Sequence, residues 1–399
     1  MNRLITASLL TLAALATLRP AAAQTPRYHV IELPLVTNAK TAGATAINNP
    51  QYDAAGKLVR PVQVVGATLE STVSKSYHGW IWTASTATAA AKIQALIPLK
   101  NFPRSWATDI NNTGQVVGKS YGNGQTATLW QASAPLSPIN FNDPAVKGTV
   151  LPNCYLTDAF ALSDTDATTG AYYVTGRANY TDPVTNVVSR WQGVVWKMQG
   201  AKMVTGARLQ YPDAPPANLE DLTIDPWDVN NLGQVAGDYE NWQATAASTP
   251  CIWNAEDGTM VQRLISPVEG SYAHAINNNG SVVGESWGTN PPHAFLWATP
   301  GAGQEIQILT DPSGSHTVAR GINKSNQIVG QMYSRYGGPC LWQPQLDGTY
   351  QYYNLNKCKY SGATGITLQV ARKVNDSGRI IGSYSSGSAG RAFLLTPVP

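Results

Sequence analysis

The sequence predicts an all-β fold, a single seven-bladed β-propeller. Each blade has four antiparallel strands, and the N-terminal strand closes the last blade. Three observations lead there. A frame of three short phrases, Ile-Asn, then G-x-V-V-G, then an ending in Leu-Trp, recurs seven times along the 399 residues. Asn- and Gly-rich turn signals separate the phrases. The seventh copy stops after its third phrase, while a lone fourth phrase stands near the start of the chain.

The first phrase carries Ile47-Asn48, Ile110-Asn111, Val229-Asn230, Ile276-Asn277, Ile322-Asn323 and Val374-Asn375, with a worn copy at Leu162-Ser163. The second ends at Gly66, Gly118, Gly176, Gly237, Gly284, Gly330 and Gly382. The third ends at Trp82, Trp130, Trp196, Trp253, Trp297 and Trp342, with Leu395 in the last copy. Each phrase holds about five residues of β-forming type, the length of one strand. N-N-x-G or N-D-S-G lies between the first two, where Asn, Asp and Gly supply the positive φ of a tight hairpin.

A fourth strand follows most of the tryptophans, as in "IQALIPL", "MVQRLI", "EIQILTD" and "YYNLN". Four strands in a unit of roughly 45–50 residues is the pattern of a propeller blade. Copy one carries an insertion near 51–61. The seventh copy ends at "RAFLLTPVP", and residues 28–33, "YHVIEL", have the pattern of its missing fourth strand. Pairing the two closes the ring and covers an edge that would otherwise template aggregation.

The frame, with "HAF" at His293-Ala294-Phe295, resembles the bacterial extracellular HAF repeat family. The likeness runs through all seven copies. It implies a secreted propeller and no defined chemistry.

Residues 1–23 read as an export signal. Arg3 precedes an apolar run at 4–18, and Ala21-Ala22-Ala23 give an A-x-A cleavage pattern. The run is short for a membrane span and nothing comparable follows, so no membrane insertion is expected. Removing Arg3 and Arg19 takes the formal charge from +3 to +1. That balance lacks the concentrated basic patch of a nucleic-acid binder. Residues 24–399 form the propeller, expected as a monomer.

Several motifs have a plainer reading than chemistry. "GKSYG" (118–122) and "GESWG" (284–288) fit G-x-S-x-G. A nucleophile elbow leads from a strand into a helix, whereas both serines here leave one strand and enter another. His78 and His293 open third strands, where tying strands together by hydrogen bonds suits them better than ligand binding. Cys154, Cys251, Cys340 and Cys358 contain no C-x-x-C pair. Cys251 and Cys340 take the place of Phe295 and read as buried apolar residues. Export permits disulfides, and Cys340 with Cys358 is the best pair. With no H-E-x-x-H either, neither metal nor cofactor is expected.

Propeller geometry places the site. With the first strand innermost, its start and the loops around it face the ligand. Two residues before the repeated Ile or Val stand Thr45, Thr108, Phe160, Trp227, His274, Arg320 and Arg372. A packing position would keep one residue type; this one varies. The residue after the second-strand glycine varies too, as Ala67, Lys119, Arg177, Asp238, Glu285, Gln331 and Ser383. Tyr121, Tyr239, Trp287, Tyr333 and Tyr384 follow closely, and His316 enters copy six.

The expectation is a cationic funnel with an aromatic rim. Arginine forks suit carboxylates and aromatics suit the apolar faces of sugars, so a small anionic ligand, above all a uronate-containing glycan, is the expected partner. The competing reading pairs Arg320 and Arg372 with Glu285 and Asp238 in a merely wet channel. Recognition alone needs only this surface. A polysaccharide lyase would add His274 and Tyr333 as base and acid. A glycoside hydrolase would need two spaced carboxylates from Asp109, Asp228, Asp238 and Glu285.

Overall fold

A computed structural model describes residues 25–398 except 72–75, 87–88, 132–136, 212–221, 242–247, 265–269, 299–305, 334–336, 364 and 387–388. The expected export segment 1–23 therefore lies outside the described residues. Seven sheets form the blades of a β-propeller. Their first strands are Thr41–Ile47, Arg104–Ile110, Cys154–Leu162, Leu222–Val229, Ser271–Ile276, His316–Ile322 and Thr367–Val374. Residues from all seven line one central channel, so these strands are innermost.

Closure follows the expected register. Strand Arg27–Glu32 pairs antiparallel with Ala389–Pro397, placing Val30 against Leu395 and Glu32 against Phe393. One feature departs from four antiparallel strands. Strand Lys359–Gly362 pairs parallel with the outer side of Arg27–Glu32, giving blade seven a fifth strand. The blade-one insertion forms a small hairpin of Gln51–Tyr52 with Leu58–Arg60.

The variable residue of each inner strand is a β-bulge. The register between first and second strands slips at Thr45, Thr108, Phe160, His274, Arg320 and Arg372, and across Pro226-Trp227 in blade four. The repeated glycine opposite explains how the bulge is accommodated. A Cβ on Gly284 would lie 1.8 Å from the Tyr272 carbonyl oxygen, and one on Gly330 or Gly382 the same distance from Val318 or Val370. Gly66, Gly118, Gly176 and Gly237 meet a backbone oxygen at 1.9–2.0 Å. Any side chain there would push the bulged strand away.

The repeated asparagine has a different task from the one its turn position suggested. Gly114, Gly233, Gly280 and Gly378 take the positive φ, and Asn326 does so in blade six. Asn277 Oδ1 instead accepts from Asn279 N and Ser281 N at 3.0 and 2.9 Å, holding the turn shut. Its Nδ2 donates to Asn323 O of the next blade at 2.9 Å. The same cross-blade bond joins blades two to three, four to five, six to seven and seven to one.

Farther out, the repeat tryptophans Trp130, Trp196, Trp253, Trp297 and Trp342 are fully buried between blades. Burial of one large side chain contributes roughly 1.5–3 kcal/mol. Trp130, Trp253 and Trp342 also donate Nε1 to Ile97 O, Gln210 O and Thr310 O of the preceding blade's exit segment.

Three outcomes for stability are expected. Deleting 28–33 uncovers Ala389–Pro397, so the variant should scatter light and lose its cooperative melt; a parental melting curve would exclude this closure. Gly284→Ala should destabilise by about 1–3 kcal/mol or more, since backbone has to move. Gly280→Val, at φ +83°, should cost about 1–3 kcal/mol through strain. Denaturant titration measures both.

Candidate functional site

The seven bulged residues come together. Thr45, Thr108, Phe160, Trp227, His274, Arg320 and Arg372 surround a cavity of about 320 Å³ at one mouth of the channel. Bulges commonly re-aim a side chain next to a functional site, and here one from each blade turns toward the axis. Thr45 and Thr108 spend their hydroxyls on Ala107 O and Ala159 O of the next blade, at 3.0 and 2.7 Å. The other five give the cavity its character.

One side is aromatic. Phe160 and Trp227 stack with centroids 5.1 Å apart and planes 19° apart. Trp227 is held in place by its Nε1, which donates to Asp238 Oδ2 at 2.8 Å; Asp238 Oδ1 in turn accepts from Ala273 N at 2.7 Å. Behind them the Arg177 guanidinium lies over Phe160, Trp191 and Trp227 at 5.0–5.7 Å and pairs with Asp225.

The other side is cationic. Arg320 and Arg372 stand on adjacent blades, nearly opposite the aromatic pair by blade order. Neither has a carboxylate partner among the described residues. Arg320 Nη2 donates to the Tyr333 hydroxyl at 3.0 Å, and its buried Nε has no hydrogen-bond partner among the described residues. Desolvation, then the charge of Arg320, lowers the pKa of Arg372. Each guanidinium thus disfavours the charge of the other, and a bound anion would relieve this.

His274 completes a chain of contacts between blades five and six. Glu285 is bonded to His316 Nε2 and lies 3.9 Å from His274 Nε2. The His316 ring stacks on Tyr333 at 4.7 Å and meets Trp287 edge-on at 5.7 Å. Burial, with a smaller push from Arg320, lowers the His274 pKa despite Glu285, which favours the neutral ring near pH 7. Burial raises the Glu285 carboxyl, but His274 and His316 outweigh it and the net shift is downward. Trp287 and Tyr333 are 55% and 45% exposed beside His316.

Other expected residues lie elsewhere or are engaged. The position after the glycine reaches across to the next blade. Lys119 pairs with Asp158 at 2.8 Å, Arg177 with Asp225, Asp238 with Ala273 N, and Glu285 with His316. The carboxylates of Glu285 and Asp238 are therefore taken, and not by Arg320 or Arg372. Tyr121 lies 5.8 Å from both Arg104 and Lys119. Tyr239 and Tyr384 are buried in the core, because bulk at that strand position fills the gap between blades, and so they cannot line a rim. Ser120 and Ser286 are fully buried and hydrogen-bonded to Thr128 and Ser271. All four cysteines are free; Cys340 and Cys358 sit in separate packing clusters, which overturns the expected disulfide.

The residue before the repeated Ile supplies Lys373, which sequence reasoning missed, and joins it to Asp109 and Asp228, which were expected only as spaced carboxylates. It is Ala46, Ala161, Ala275 or Gly321 in four blades and Asp109, Asp228 or Lys373 in three. Lys373 Nζ of blade seven meets Asp228 Oδ2 of blade four at 3.3 Å. Those blades stand nearly opposite, so the pair crosses the axis. Asp109 approaches from blade two, and Asp109 and Lys373 line cavities on both sides. Burial pushes Asp109 up to about 6, Lys373 opposing and Asp228 adding to the shift. Three charges among small residues at one repeat position were the available signal. Below this floor, a collar of Asn112, Asp164, Asn231 and Asn278 links blade to blade through side-chain oxygens and backbone N–H groups.

No family model matches the chain, and no curated protein matches it. Solved structures share the architecture. An acylaminoacyl peptidase of Pyrococcus horikoshii aligns over 90% of this chain and 53% of its own, with TM-score 0.50 and 10% identity. The propeller domain of the Trilobed protease from Pyrococcus furiosus aligns over 90% of this chain and 94% of its own, with TM-score 0.49 and 10% identity. This chain spans about half the length of the peptidase. At such identity the likeness is one of fold.

The floor should be visible in stability against pH. The folded pKa of Asp109 lies above its ordinary 3.8, so the folded state binds more protons between pH 3.8 and about 6. Stability from this group is full below that window and is lost as pH rises through about 6. Melting temperatures from about pH 4 to 7 should therefore fall more in the wild type than in Asp109→Asn; parallel curves would contradict the assignment.

Proposed function

We propose that this chain is an exported recognition propeller whose funnel takes a carboxylated ligand, a uronate-containing glycan. One observation carries the reading. Two adjacent arginines without a carboxylate partner among the described residues face a fixed, stacked Phe160–Trp227 wall across a cavity of about 320 Å³. Guanidiniums bind carboxylates by paired, charge-assisted hydrogen bonds, and a flat aromatic wall accepts the C–H face of a sugar ring. The segment 4–18 with Ala21-Ala22-Ala23, and the resemblance to HAF repeat proteins, support export.

A second reading, polysaccharide lyase, is favoured by the state of His274. A ring kept neutral beside Arg320 is a fit base for the proton next to a uronate carboxylate. Arg320 and Arg372 would stabilise the charge developing on that carboxylate. The Tyr333 hydroxyl, bonded to Arg320, would return a proton to the leaving glycosidic oxygen as the bond to the sugar breaks and a double bond forms.

Arg320→Ala and Arg372→Ala should each weaken binding of a uronate oligosaccharide by about 1.5–3 kcal/mol, with little change in melting temperature. Calorimetry on the double variant is decisive, since unchanged binding removes the site. Absorbance from unsaturated chain ends separates the two readings. Binding without new absorbance supports recognition alone; both together support the lyase, and His274→Ala should then reduce turnover far more than affinity.

A further inference from the structure

We infer that the funnel reads the terminal unit of an acidic chain and not its interior. This rests on the uronate-glycan reading above and adds which part of the glycan enters. The first support is that the channel is closed. Lys373 and Asp228 meet at 3.3 Å across the axis. Their partner Asp109 and Asp228 itself are pinned by Leu162 N and Ile276 N, each at 3.1 Å. A chain threading the ring would have to break this buried pair, and an unpaired charge there is strongly unfavourable.

The second is depth. Phe160, Trp227, Arg320 and Arg372 hold the same position in their strands, one residue from the floor position. The aromatic wall and the guanidinium pair therefore stand at one level, directly above the ion pair. A ligand touching both presents a ring face and a carboxylate on a single unit. The cavity of about 320 Å³ is at the small end for ligand sites and suits one ring of this kind. An interior unit of a chain laid across the mouth would stop at Trp287 and Tyr333. Both rings are exposed and pack on His316, and Tyr333 accepts from Arg320, so they are available to the second unit of a chain standing end-on.

The test titrates the full-length protein with polygalacturonate, alginate and glucuronan, each as short and as long chains at equal uronate mass. End recognition predicts that binding sites are counted by the number of chains. It also predicts that the corresponding free uronate monomer competes, and that Phe160→Ala or Trp227→Ala weakens the monomer about threefold to tenfold. Stoichiometry fixed by uronate mass, with no competition by monomer, overturns end recognition and leaves the glycan reading standing. Absence of binding to every acidic chain overturns both.

Discussion

Everything in the inner ring depends on one steric arrangement, a bulged strand resting on a residue with no side chain. In every blade a first-strand carbonyl just before the bulge occupies the space where a Cβ of the second-strand residue would be. That is why the second phrase closes on glycine seven times. The bulge turns one side chain from each blade to the axis without breaking the ladder on either side of it. The asparagine ring below and the tryptophan layer outside then fix each blade against the next.

The polar interior is organised by how its charges are settled. Four post-glycine side chains bond to the following blade, so their charges serve the ring. Lys373 draws two carboxylates to the axis; burial lowers its pKa, and Asp228 and Asp109 more than restore it. A buried pair of this kind contributes little net stability, because desolvation offsets the Coulomb gain. Its effect is on shape, as a partition between two unlike mouths. Among the described residues that line this cavity, Arg320 and Arg372 are the cations without a carboxylate partner, and the mouth they line is the one whose residues vary.

The blade count, the closure and the identity of the seven cavity residues were legible because they follow from period and from variation at a fixed repeat position. Arg372 was found by asking which position refuses to settle on one residue type. The same reasoning misplaced the post-glycine residues, since a position also varies with what faces it on the next blade; Lys119 and Arg177 face Asp158 and Asp225, whereas Asp238 accepts from Ala273 N and Glu285 meets His316. Tyr239 looked like a rim residue beside Trp287 and Tyr333, but it stands two residues after its glycine where they stand three, and strand alternation turns it between the sheets. The parallel strand Lys359–Gly362 was illegible for another reason. It has no counterpart among the described residues of the other blades, so no repeat pointed to it.

The bulge has a consequence for how such a protein changes over generations. A side chain aimed at the axis lies inside the tryptophan layer and meets at most its neighbours in the ring, as Phe160 meets Trp227 and Thr108 meets Ala159 O. Each blade thus offers one address that can be rewritten with its neighbour, while the frame around it is copied unchanged. A ring of seven such addresses can be moved from one ligand to another by a few exchanges, with the fold held constant throughout.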